Sequence, residues 1–101
     1  MSTTAATTEL TSPVATGWTQ IDGTPLSGRK YAEVVNQSPS QRMGLIYTHG
    51  TAPTGAWNTG RIVLPGDQTP LEPCEGAVKI YVRMETGPVV TGEAIILLEW
   101  N

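Results

Sequence analysis

Cysteine and histidine, on which many catalytic and zinc sites depend, each occur once in this chain of 101 residues, as Cys74 and His49. A single cysteine cannot form a disulfide within the chain, and one cysteine with one histidine supplies at most two of the four ligands of a zinc site. Glu72 and Glu75 flank Cys74 and disfavour its thiolate, which is the reactive form. The sequence therefore predicts an unreactive cysteine, no metal centre and no cofactor, and an enzyme is the least favoured class of function.

Charge is also scarce, because charged residues make up 15% of the chain and its net charge is -3. A protein that binds a phosphate backbone needs a cluster of Lys and Arg, which this composition does not provide. The longest apolar run, residues 94–98, is far shorter than the ~20 residues that span a bilayer, and the first residues lack the apolar segment of a signal peptide. We expect a soluble protein, folded in a cytoplasm, that contacts neither nucleic acid nor membrane.

Helical periodicity is missing as well, since no long window free of Gly and Pro has apolar residues at helical spacing. Short runs rich in β-branched residues alternate with turn-forming residues about every eight to twelve positions, which is typical of antiparallel sandwiches and barrels. The predicted strands lie within residues 14–21, 30–36, 43–49, 61–67, 77–85 and 93–100. In the run 61–67, Pro65 and Gly66 are predicted to stop the strand. We predict an all-β fold, an antiparallel β-sandwich or a small jelly-roll-like barrel.

Two of these runs carry the most information about burial. Residues 77–85 alternate cleanly: the residues predicted to point inward are Val78, Ile80, Val82 and Met84, and those predicted to point outward are Lys79, Tyr81, Arg83 and Glu85. Residues 93–100 are almost continuously apolar, as expected for a strand that is buried on both faces.

The first twelve residues differ from the rest, because they are mainly Thr, Ser and Ala. Such a segment buries too little apolar surface to offset the entropy lost on ordering, so we predict an extended, mobile N-terminal arm, residues 1–12, before a single domain, residues 13–101. The arm could order on a partner by adding a strand to an edge of the partner's sheet. Its candidate contacts are Thr7, Thr8, Glu9 and Leu10, with Leu10 as the apolar anchor.

Two polar clusters have competing interpretations. Asp67, Glu72 and Glu75 lie close together in sequence and suit a hard cation such as calcium, but their spacing matches no EF-hand, which favours a solvated acidic loop. Asn36 and Ser38 match a glycosylation triplet, although they are better explained as side chains that form hydrogen bonds in a turn.

The three tryptophans are the other unusual feature. Trp57 lies in a Gly- and Thr-rich loop, residues 48–60, where it could stack on a sugar or fold back as a lid on the sandwich. Trp18 and Trp100 fall on predicted strands and are expected in the core or at its edge.

Four stretches occur in order over most of residues 26–100: SGRKYAEVVNQS, TGRIVLPGD, VKIYVRM and a C-terminal LLEW. Their pattern resembles small virion proteins of tailed bacteriophages. The resemblance implies a β-sandwich capsid decoration (cement) protein, a head fibre or a tail component. Such proteins are usually multimeric and often trimeric, and the resemblance brings no catalytic residues with it.

Two classes of function follow from these observations. The first is a decoration protein that is made in the host cytoplasm, binds the major capsid protein on the outer surface of the virion and stabilises the head. Besides the arm, it would use Arg29 and Lys30, which we expect to be exposed. The second is a tail, head-fibre or host-adsorption module that binds a surface glycan through Trp57 and Asn58.

Overall fold

A computed structural model describes residues 5–10, 17–86 and 94–101, which form eight strands and one short 3₁₀ helix. The strands are β1 (Ala5–Leu10), β2 (Thr19–Gln20), β3 (Tyr31–Asn36), β4 (Met43–Thr48), β5 (Arg61–Val63), β6 (Glu72–Pro73), β7 (Lys79–Met84) and β8 (Ile95–Trp100). The 3₁₀ helix, Trp57–Thr59, joins β4 to β5. Because it is the one helical element of the described residues, no helix there could cross a membrane.

Two four-stranded antiparallel sheets make up the structure. Sheet A has the order β1-β8-β3-β6, and sheet B has the order β2-β7-β4-β5. The predicted all-β antiparallel sandwich is confirmed, and the two sheets do not close into a barrel.

The core lies between the sheets and is built by period-two alternation. On β7, Ile80, Val82 and Met84 are at most 1% exposed, which confirms their predicted inward orientation. They pack with Leu97 of β8 and with other buried apolar side chains of both sheets. Every buried polar side-chain atom of the described residues has a hydrogen-bond partner, so none of these atoms adds the free-energy cost of an unpaired polar group.

The connection between β3 and β4 is held by its own side chains. Asn36 is fully buried. Its side-chain Nδ2 donates to the main-chain carbonyl of Gln41 at 2.8 Å, and its side-chain Oδ1 accepts from the main-chain amide of Ser38 at 3.0 Å. The Ser38 hydroxyl accepts from the Gln41 amide at 3.0 Å. The predicted turn-forming role of Asn36 and Ser38 is confirmed.

The strand predicted within 61–67 ends at Val63. Gly66 adopts a φ of +74° and the Asp67 amide donates to the Leu64 carbonyl, so a turn stops the strand at Pro65 and Gly66 as predicted. The run 14–21 contributes only β2, and residues 14–16 lie outside the described residues. β6 lies at an edge of sheet A, as the prolines around it predict.

Part of the predicted mobile arm is a strand. Residues 5–10 form β1 and pair with β8 over their full length, from Ala5 opposite Trp100 to Leu10 opposite Ile95. The structure therefore differs from the prediction over this part of the arm, because main-chain pairing supplies the stabilisation that the side chains lack. Residues 1–4, 11 and 12 lie outside the described residues.

Candidate functional site

A buried ion cluster ties the two sheets together at one end of the sandwich. The Arg29 guanidinium lies 2.9 Å from a Glu99 carboxylate oxygen and 3.2 Å from an Asp22 oxygen, and none of its side-chain surface is exposed. It also donates to the carbonyls of Cys74 and Val78 at 3.0 and 2.7 Å. The cluster crosslinks β8 to the segments around it, which is a structural role.

The expectation that Arg29 is exposed and contacts a partner is wrong. A turn in which the Arg29 amide donates to the Leu26 carbonyl, with Gly28 at a φ of +70°, leads the chain from the surface into the interior. Lys30, the next residue, is exposed as predicted. The missed signal was Glu99, which follows Ile95 and Leu97 on the inward face of β8 and therefore needs a buried cation.

A cleft of about 420 Å³ opens beside this cluster and contains the only cysteine and the only histidine. The Cys74 thiol is buried, and burial raises its pKa more than the nearby Arg29 charge lowers it. His49 lies 3.9 Å from a Glu75 carboxylate oxygen, and both side chains are largely exposed. The raised pKa of Cys74 agrees with the predicted unreactive thiol.

The three acids of the predicted acidic loop have separate partners. Glu72 accepts from Arg61 at 2.7 Å and from the Tyr47 hydroxyl at 3.2 Å, and burial together with the Glu72 charge raises the pKa of Tyr47. Asp67 accepts from the amide of the next residue, and Glu75 lies near His49. Within the described residues no three metal-ligating side chains converge, so a calcium site finds no support there.

The loop after β4 covers part of the outer face of sheet B, which we call the B face. The Gly55 carbonyl accepts from the Trp18 indole at 2.8 Å and from Arg83 at 3.0 Å. Gly44 of β4 lies directly under the loop, since a Cβ at this position would lie 1.9 Å from the Trp57 carbonyl oxygen. The loop is therefore anchored to the sheet at several points.

Trp57 itself is half-buried, and the Arg42 guanidinium lies 4.9 Å from the centre of its ring. Arg42 also pairs with Glu85, and this hydrogen bonding lowers the pKa of Glu85 below its ordinary value. Asn58 is exposed beside it. The geometry favours the lid interpretation of Trp57 over stacking on a sugar, because a cation already occupies a face of the ring.

The arm residues divide between two faces of β1. Thr7 and Glu9 are exposed, whereas Thr8 and Leu10 face the core and are half-buried. Leu10 packs against the hydrophobic core of its own chain, so its predicted role as an anchor on a partner is wrong for this conformation. In the part of the chain that the structure describes, sheet A ends at this strand, so β1 offers a partner its outer main-chain edge.

The outer face of sheet A, which we call the A face, carries a group of adjacent apolar side chains. Its apolar side chains are Tyr31, Val35, Ile96, Leu98 and Trp100, and they adjoin one another in the register of β3 and β8. Tyr31 is 42% exposed and the others are half-buried. β8 is therefore buried on one face only, and the prediction that both faces are buried is wrong within this single chain. Trp100, expected in the core or at its edge, lies on this outer face.

Comparison of the chain with known protein families, curated proteins and solved structures finds no match. The resemblance to phage virion proteins therefore stays a prediction. The described residues offer a partner two surfaces, the outer edge of β1 and the A face.

Proposed function

We propose that this chain is a structural protein of a tailed bacteriophage that decorates the outer capsid surface and stabilises the head. The proposal rests on the outer edge of β1, which no other described strand covers and at which a strand of the major capsid protein can add to sheet A. Strand addition uses main-chain hydrogen bonds, so it suits a segment whose side chains are mostly small and polar.

The side chains of β1 support the same role. Thr7 and Glu9 remain exposed while Leu10 packs against the core and fixes the strand in place. A strand that is already ordered loses less conformational entropy on binding than a free arm would. The binding energy of each copy is small, but many copies on a symmetric shell can act together, as in the trimer that the resemblance implies.

Hydrogen exchange on the particle tests this proposal with the unaltered protein. We expect residues 5–10 to exchange more slowly when the protein is bound to undecorated capsids, because the outer amides of β1 become hydrogen-bonded. The edge strand β5 of sheet B serves as the internal control and should exchange at the same rate, bound or free. Binding without added protection in β1 would contradict the proposal.

Two truncations provide a second test of the same edge. Removing residues 1–4 leaves β1 intact and should leave capsid binding unchanged, whereas removing residues 1–10 should abolish it. Because the longer truncation also exposes the edge of β8, its fold is checked by urea unfolding followed by tryptophan fluorescence. Equal loss of binding in both variants would contradict the proposal, because it would show that the capsid contact lies outside β1.

A further inference from the structure

The two outer faces of the sandwich carry formal charges of opposite sign. On the A face, Glu9 of β1 and Glu33 of β3 lie among the apolar side chains, and no Lys or Arg of the described strands projects from this face. Glu33 accepts from the Gln68 side-chain amide at 3.0 Å, and Gln68 lies beside β3 on the side away from β8. A partner of this face therefore needs an apolar surface that carries positive charge.

The B face of the same chain has those properties. Lys79 and Arg83 project outward from β7, because they alternate with inward-pointing residues of that strand. Ile62 of β5 lies opposite Gly44 on the same face and is 45% exposed. Arg83 is half-buried and donates to the Gly55 carbonyl of the covering loop, whereas Lys79 is exposed. The B face thus combines an exposed cation with an exposed apolar side chain, beside the anchored loop.

We propose that the A face of one copy of this chain docks against the B face of a second copy. Pairing two A faces instead would bring Glu9 and Glu33 of both copies into one apolar interface, where like charges cost free energy. Contact between unlike faces leaves a free A face and a free B face on every pair. Such association continues until the rotation between copies closes a ring.

The size of the A face sets the expected strength of one contact. Three strands spaced ~4.8 Å apart, each about 20 Å long, give a face of roughly 300 Å². Stable interfaces bury about 800 Å² on each partner, so a single contact of this size is weak. Association should therefore depend on concentration, with closed rings more stable than open pairs.

Light scattering on the purified protein tests this inference without any capsid, so its outcome is independent of the proposed function. We expect the average mass of the wild-type protein to rise above that of one chain as concentration increases. Glu33→Lys and Lys79→Glu should each weaken association at least about tenfold, because each places like charges across the contact. Glu75→Lys makes a matched charge change beside the cleft and should leave association unchanged.

An equimolar mixture of Glu33→Lys and Lys79→Glu completes the test. The altered A face of the first variant is complementary to the altered B face of the second, so the mixture should associate more strongly than either variant alone. A wild-type protein that stays a single chain at millimolar concentration would overturn the inference. It would also be overturned if Lys79→Glu associated as well as the wild type, since this result would point to contact between two A faces.

Discussion

At the scale of single residues, Arg29 has the most consequential environment in the molecule. Its guanidinium is enclosed by Glu99, Asp22 and main-chain carbonyls, so both carboxylates depend on one cation for their compensation. A buried ion pair contributes little net stability compared with a well-packed apolar group, but the loss of one partner leaves an uncompensated buried charge.

Arg29→Met should therefore lower the free energy of unfolding by about 3–5 kcal/mol, because it leaves two buried carboxylates without a compensating positive charge. Urea unfolding followed by tryptophan fluorescence measures this loss. Lys30→Met, which removes the neighbouring exposed cation, should change stability by no more than about 0.5 kcal/mol. Similar small losses in both variants would show that the cluster is not required for folding.

The burial of Arg29 could not be predicted from the sequence, because the carboxylates that pair with it come from other segments of the chain. Asp22 precedes it by a turn, but Glu99 lies 70 residues away and meets it only when β8 enters sheet A. By contrast, the turn bonds of Asn36 and Ser38 are local, and local hydrogen bonding is what the sequence predicts best.

At the scale of elements, the position of the loop after β4 depends on the absence of a side chain at Gly44. The Trp57 carbonyl lies over this position, and the Trp18 indole lies 3.0 Å from where a Cβ would stand. The sequence left open whether Trp57 binds a sugar or folds back as a lid on the sandwich, since the glycine that permits the close approach lies on another element.

Gly44→Ala should displace the loop and lower the free energy of unfolding by about 1–3 kcal/mol, because the new methyl group overlaps main chain that cannot move independently. Limited proteolysis should then cut within residues 49–60 faster than in the wild type. Gly23→Ala is the matched control, since a Cβ there meets nothing within 4 Å. A Gly44→Ala variant that unfolds and is cleaved like the control would contradict this description of the loop.

The strands themselves show what periodicity can and cannot predict. The alternation of β7 fixed its inward face correctly, because burial on one side leaves a period of two in the sequence. In β8 both faces are apolar, so the pattern predicts that each face is buried, but it does not identify the residues or the partner that bury it. Sheet A covers one face with the core, and we assign the other to a second copy of the chain.

At the scale of the whole molecule, the all-β sandwich followed from composition and turn spacing, since short β-branched runs have few other stable arrangements. The placement of β1 did not follow, because a strand of small polar residues joins a sheet through its main chain, which leaves no signature in the sequence. The proposed function depends on this strand more than on any side chain.

Sedimentation of the wild-type protein with undecorated capsids is the direct test of the decoration role. We expect the protein to pellet with the capsids and binding to saturate at a fixed ratio to the capsid subunit, because each copy occupies a repeated site on the shell. Protein that remains in the supernatant at every concentration, while capsids pellet, would contradict the decoration role.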